Sequence, residues 1–270
     1  MIMTKKIKIM AIASLLTLGL ASTAAFADSD TTNINANVGY VNTSQLPDGN
    51  GSINPIRLKA IEDTATTLGA RGALAWRSLQ IDHSLSISGN HLDHVFDFNQ
   101  LLISGNVLPP VITQSDDTLT QNDDNTLRLA SKSYDIVSPA SFVTAPPTWR
   151  SYLWMDYAKP SLPNRTLFPT TKDEATVWNA YLKQGWGKGL DQANEIFREN
   201  LDRLKRDYAG MILYKQLLAQ HMVSKPFVAK ADLGVTGDAN HIRINDQVLR
   251  ITAASQLQTN SAKWSPVITP

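Results

Sequence analysis

From Thr171 to Ser224 apolar residues form a nearly unbroken helical stripe, through Trp178, Leu182, Trp186, Leu190, Ala193, Phe197, Leu201, Leu204, Tyr208, Met211, Leu218 and Met222. Such a stripe covers one side of an α-helix and has to be buried against something. A chain with a helix this long must fold around it, so this segment constrains the architecture more than any other. Thr171 and Glu174 have the spacing of a capping box, in which the hydroxyl accepts an amide hydrogen bond and the carboxylate reaches back. Gly185, Gly187 and Gly189 predict a kink or break, because glycine is costly inside a helix. Lys225-Pro226 predicts the end of the helical pattern.

A second helical pattern precedes the first. Asn54 is placed to cap it, with Pro55 at the first helical position. Ile61, Ala65, Leu68, Leu74 and Leu79 then recur at roughly helical spacing, and Gly69 and Gly72 are either weak points or places of close approach. Ser88-Gly89-Asn90 breaks the pattern. A further helix is expected over 91–103, with Leu92, Val95, Phe96 and Leu102 as its buried side, and "NVLPP" stops it. The middle of the chain differs. Residues 126–137 alternate apolar and polar on either side of Ala130-Ser131-Lys132, which predicts a hairpin there. The polar, acidic run 113–125 reads as a loop, and "KPSLPNRTLFPTT" as a proline-punctuated connector. Strand character returns after Pro226, with Asn245-Asp246 between two short apolar-bearing runs. The expected fold is α+β, mostly long helices with a small antiparallel sheet made of hairpins.

The N-terminus reads as a signal peptide. Lys5, Lys6 and Lys8 form a positive region, Ile9 to Leu20 is apolar, and Ala25-Phe26-Ala27 is the small-x-small pattern of a cleavage site before Asp28. The apolar run is short against the ~20 residues a membrane span needs. The expected organisation is a signal peptide over 1–27, a flexible leader over 28–54, one domain over 55–258 and a loose tail over 259–270. Removing residues 1–27 leaves 243 residues and takes three lysines, so 25 basic residues become 22 against 24 acidic ones, a net charge of −2. That balance lacks the basic surplus that general nucleic-acid binding requires, and no direct nucleic-acid contact is expected. There is no cysteine. An exported fold without disulfides rests on burial.

No constellation for catalysis stands out. His91 and His94 lie on one helical face near Asp93 and Asp97, but no third histidine has a recognisable spacing, so no metal site is assigned. Gly185, Gly187 and Gly189 resemble a phosphate loop only superficially, since they follow a helix and lack the Lys-Ser/Thr step. No Gly-x-Ser-x-Gly elbow is present. Glu195, Glu199, Asp202 and Asp207 alternate with Arg198, Arg203, Lys205 and Arg206 at spacings of three and four, the pattern of a solvated face laced with ion pairs. Asn164 to Thr166 matches a glycosylation acceptor, a weak pattern. The chain is expected to have no catalytic residues, no cofactor and no enzymatic activity. A periplasmic glycan hydrolase, or a periplasmic binding or chaperone protein, is the alternative.

Several long blocks carry a more specific signal. "FVTAPPTWRSYLWMDY" (142–157), the run from Val177 to Ala229, "LGVTG" (233–237) and "RINDQVLRIT" (243–252) resemble the DotC family, and "TLGARGALAWRS" (67–78) and "NVLPPV" (106–111) look like its N-terminal half. This is the type IVB (Dot/Icm) secretion component, called TraI in IncI-type conjugative plasmids. The resemblance implies a structural subunit of an outer-membrane core complex. Such a subunit works with a DotD-like lipoprotein to bring a DotH-like protein to the outer membrane and self-associates in a ring. DotC proteins are typically lipoproteins held through an N-terminal cysteine. This chain has none, so no lipid anchor is expected, and it should sit in the periplasm, associated with the outer membrane through partners.

Within the first block, Thr148 is placed to cap a short helix that starts at Trp149. On that helix Trp149, Tyr152, Leu153 and Tyr157 fall on one side and Trp154 and Met155 elsewhere. Burial in the chain's own core accounts for most of these rings. Trp149, Tyr152, Trp154 and Tyr157 are the candidate partner interface, with Trp154 in or beside the contact, because large rings anchor interfaces at low entropic cost.

Overall fold

A computed structural model of the chain describes Val38 and residues 41–49 and 53–265, the side chain of Asn122 excepted. The expected cleavage site at Ala25, Ala27 and Asp28, most of the leader and the last five residues lie outside the described residues. The architecture is α+β, and the chain divides into two units. The first takes the chain up to Val95 and Leu153–Leu201, and the second Phe96–Tyr152 and everything from Asp202.

The first unit is built on two helices, α1 (Pro55–Ile87) and the first part of α4 (Lys172–Ala219). Asn54 caps α1 as its sequence implies, its side chain accepting the Ile56 N–H at 2.9 Å. The expected break in α4 is absent: all 48 residues form one helix. The glycines explain why. A Cβ at Gly185 would meet the Thr66 carbonyl, one at Gly189 would meet the Ala70 carbonyl, and one at Gly69 would meet the Leu182 carbonyl. These glycines let two helix backbones touch, and the packing gained offsets their low helix propensity. Gly187 points into open space. The core between the helices contains Ile61, Ala65, Leu68, Ala73, Trp178, Leu182 and Trp186, with Val38 closing over it. Trp76 packs on Trp186 and Phe168 on Trp178, with ring centroids 5.7 and 5.2 Å apart. Leu79, counted with the apolar stripe of α1, is exposed.

Part of the leader region is held against this unit. Asn179 on α4 accepts the Val41 N–H and donates to its carbonyl, while Lys172 donates its N–H to Pro47 and pairs through Nζ with Asp48 at 2.6 Å. The start of α4 is fixed by an ion pair rather than by a complete capping box. Thr171 Oγ1 accepts the Glu174 N–H at 3.3 Å. The Glu174 carboxylate reaches past Thr171 to the N–H and hydroxyl of Thr170, and receives Arg57 from α1 at 2.5 and 2.9 Å. Arg57 also donates to the carbonyls of Thr166 and Phe168. Asn164, the acceptor of the glycosylation pattern, uses its side chain to cap the 3-10 turn Arg165–Leu167.

Helix α2 (Gly89–Val95) follows α1 and is shorter than the expected 91–103, because the chain turns at Phe96 and re-forms as a 3-10 turn over Phe98–Leu101. Leu92 and Phe96 are buried as expected, joined by Phe98 and Leu101, while Val95 and Leu102 are half-buried.

Among the described residues the second unit holds three separate two-stranded antiparallel sheets: β1 (Val107–Leu108) with β4 (Ser141–Phe142), β2 (Val111–Asp123) with β3 (Thr126–Ser138), and β5 (Phe227–Gly237) with β6 (Ile242–Ala253). Two expectations are corrected here. The acidic run 113–125 is not a loop but most of strand β2, and the hairpin turns at Asp124-Asn125 rather than at Ala130-Ser131-Lys132. Likewise Asn245-Asp246 does not turn the last hairpin. Asn245, at φ 58°, is a bulge inside β6, and the turn lies between Gly237 and Ile242. The core of this unit gathers Ile112, Tyr214, Leu217 and Val223, with Tyr134, Ile136 and Leu257 packed against them. Gly210 on α4 gives the β2 backbone its room, since a Cβ there would meet Val111 and the backbone of Ile112. The chain is tied down as far as Ser265, whose N–H donates to Gln220, and Trp264 Nε1 donates to the Gln258 carbonyl at 2.8 Å.

Candidate partner interface

The aromatic stretch forms a single turn of helix, α3 (Trp149–Leu153), and the division between the two units falls at its last residue. The Ser151 N–H and hydroxyl both bond the Thr148 carbonyl, which fixes the start of the turn. Because the helix stops at Leu153, the helical phase does not extend to Tyr157. Met155, expected elsewhere, is buried, and Tyr157, expected on the buried side, is exposed.

The four candidate rings divide in two. Trp149 is core, at 1% exposure, with the Arg150 guanidinium 4.3 Å from its ring centroid. Tyr152 is half-buried and held from several sides within the second unit. Its ring stacks on Phe98 at 5.8 Å and 6°, and Phe98 meets Tyr208 edge-on at 5.1 Å. Phe96 adds a second edge contact with Tyr208 at 5.3 Å. The Tyr152 hydroxyl donates to Asp207 Oδ2 at 3.2 Å, while Arg206 pairs with the other oxygen of that carboxylate at 2.8 Å. Burial, followed by the Asp207 charge and hydrogen bond, pushes the Tyr152 hydroxyl up to about 12. It therefore stays a neutral donor at any physiological pH. Of the acidic and basic residues expected on a solvated face of α4, Lys205 and Asp202 pair at 3.8 Å, but Asp207 is drawn into this aromatic cluster.

Trp154 and Tyr157, in the first unit, face water. They are 47% and 38% exposed, and Leu162 on the same irregular segment is more exposed still. The backbone beneath them is fixed. Met155 is buried, and its N–H donates to the Asp82 carboxylate at 3.1 Å. Asp82 sits inside the last turns of α1, and burial pushes its carboxyl above the ordinary value. A buried carboxylate that accepts a main-chain N–H holds a segment firmly, because freeing either partner leaves a polar group dry. Two large rings thus stand in solvent on an anchored support, the arrangement that costs least entropy when a partner covers them.

His91 and His94 lie exposed on α2. Among the described residues no group of three or more His, Cys, Asp or Glu is placed to hold a metal ion. Among them, too, no helix is long and apolar enough to cross a membrane. What the sequence patterns missed is a second class of exposed apolar residues on the hairpins, Leu119, Leu127 and Leu129 on β2–β3 and Val235, Ile242 and Ile244 on β5–β6. Their signal is present only in the strand register, which the turn positions had to establish first.

The chain has no match among curated proteins. A family model described as type IV secretory system, conjugal DNA-protein transfer matches residues 55–266, beginning at the first residue of α1. The match extends over parts of both units and the whole of the long helix α4. This chain belongs to that family, T4SS_TraI, and its role lies in a type IV secretion system.

Proposed function

We propose that the chain is a non-catalytic, structural subunit of the outer-membrane core complex of a type IVB secretion or conjugation apparatus. In this reading it self-associates and helps a DotH-like protein reach the outer membrane together with a DotD-like lipoprotein. The observation that carries the reading is the anchored pair Trp154 and Tyr157, large rings left in water above a segment that Asp82 and Met155 fix. Family membership and the resemblance to DotC sequences support it further. The chain offers no cysteine for a lipid, so the proposed attachment to the outer membrane runs through partners.

Affinity purification of the tagged chain from gently crosslinked envelopes tests the proposal. DotH-like and DotD-like proteins are expected in fixed proportion to the chain. Recovery of the chain alone, or clearing of peptidoglycan on a zymogram by the purified chain, would overturn it. Extraction by high salt or urea is expected for a peripheral attachment, and incorporation of labelled palmitate would contradict it.

A further inference from the structure

Hairpins β2–β3 and β5–β6 each leave both outer edges open, because the described strands form separate two-stranded sheets. Two strands alone are marginal in water and gain stability from a covered face or from further strands. At their bases both hairpins have cover. Ile112, Tyr134 and Ile136 join the core of the second unit, and Val228 and Ile251 are half-buried. Among the described residues the distal halves have none.

In β5–β6, Val235 stands opposite Ile244 and Gly237 opposite Ile242. Val235, Ile242 and Ile244 are 65%, 69% and 71% exposed. By simple alternation Val235 would point away from the face of Val228, and Ile244 away from that of Leu249 and Ile251. Two bulges correct this, with Leu233 extra on β5 and Asn245 extra on β6. Gly234 and Asn245 supply the required left-handed φ of 71° and 58°. Val228, Leu249 and Ile251 then share one face with Val235, Ile242 and Ile244, while Arg243, Asp246, Val248 and Arg250 share the other. Lys230, Asp232 and Gln247 are interspersed on the apolar face, where hydrocarbon would penalise them and a protein cover would not.

The β2–β3 hairpin has matching needs. Leu119 stands directly opposite Leu129, Leu127 lies on the same face, and all three are exposed. Strand β2 carries Asp116, Asp117 and Asp123 and no base. The basic strands of the chain are β3 and β6. On β3, Lys132 already faces Asp116 across its own hairpin. On β6, Arg243 and Arg250 stand opposite Thr236 and Ala229, with no acid across the hairpin. An edge-to-edge contact of β2 with another β2 would set acids against acids, a destabilising arrangement.

We propose that open edge β6 of one copy pairs with open edge β2 of a second copy, merging two hairpins into a four-stranded sheet in the order β3, β2, β6, β5. Main-chain hydrogen bonds join the edges, as in other strand additions. The arginines of β6 meet the aspartates of β2, and the apolar ends cover one another. Two different patches of the chain are used, so the contact is heterologous and propagates into a ring or a filament. This deepens the scaffold reading and rests on it for the presence of several copies.

The absence of native cysteine makes the test clean. Cells carrying the apparatus co-express two differently tagged full-length chains, one with Thr120→Cys, on the face of Asp116 and Asp123, and one with a single cysteine scanned over Arg243, Asp246 and Arg250, which share one face of β6. After oxidation, a crosslinked band bearing both tags is expected at one or more positions, with none from either chain alone. A parallel chain with Arg243→Glu and Arg250→Glu is expected to lose at least tenfold of its self-associated fraction. Adding Asp116→Arg and Asp123→Arg to that chain should restore it, with the circular dichroism unchanged throughout. Absence of the mixed crosslink across the scan, or reversal without rescue in a folded chain, overturns the strand pairing. If the wild-type chain is multi-copy while both tests fail, only the pairing falls. If the wild-type chain is found in single copies, the scaffold reading falls with it.

Discussion

Glu174 shows how one residue serves two helices. Its carboxylate receives Arg57 from α1 and Thr170 at the start of α4, and the Arg57 hydrogen bond holds it down at about 2 against the opposing effect of burial. A carboxylate lowered by folding contributes stability that is complete above the ordinary glutamate value of 4.5 and is lost as pH falls toward 2. Acid titration of unfolding should therefore show a component between those values that Glu174→Gln removes. At neutral pH the same substitution is expected to cost about 1.5–3 kcal/mol, the range for hydrogen bonds to charged groups. Trp154 presents the opposite case. With half its surface in water, Trp154→Ala should change thermal stability within about 0.5 kcal/mol. Recovery of DotH-like protein with the tagged chain should nevertheless fall severalfold, and unchanged recovery would remove Trp154 from the interface. The capping pair Thr171 and Glu174 was legible in the sequence, but the Arg57 partner was not, because 117 positions separate the two residues. The split of the aromatic stretch into core and exposed rings was only half legible. Helical phase placed Trp149 inside and Trp154 outside, but where the helix ends is decided by Asp82 bonding Met155 from a distant segment.

Among the elements, the two long helices were readable because each buries a stripe, and burial is what periodicity reports. The glycines of α4 show where that reading stops. Sequence pattern treats Gly185, Gly187 and Gly189 alike, whereas the structure separates two that meet α1 backbone from one that faces solvent. Gly185→Leu should destabilise the first unit by about 1–3 kcal/mol or more, because a rigid carbonyl occupies the space. Gly187→Ala should instead stabilise it by about 1 kcal/mol, since alanine removes the entropic cost of glycine without a clash. Chemical denaturation of the two variants distinguishes this account from a kinked helix, in which both would behave alike. The hairpins were misread for a related reason. Strand β2 is solvated on most of its length and carries Asp116, Asp117 and Asp123, so neither alternation nor β-propensity marks it as a strand. Its conformation is set by pairing with β3, which no local pattern contains.

At the scale of the whole molecule, a near-neutral, cysteine-free chain divides into two units served by one 48-residue helix. Its interior is spent on packing, with Trp149, Trp178 and Trp186 fully buried, and its exposed large apolar residues include Ile56, Leu79 and Ile87 on α1 as well as those of the Trp154 segment and the two hairpins. That distribution suits a subunit whose work is to be touched by neighbours, and the α+β class that carries it follows from the order of helical and strand-like segments. The central claim is the scaffold role. It is tested most directly by deleting the gene for this chain and measuring the share of the DotH-like protein that fractionates with the outer membrane. The expected result is loss of that protein from the outer membrane together with loss of transfer, both restored by the wild-type chain. A DotH-like protein that stays at the outer membrane with transfer intact would contradict the account.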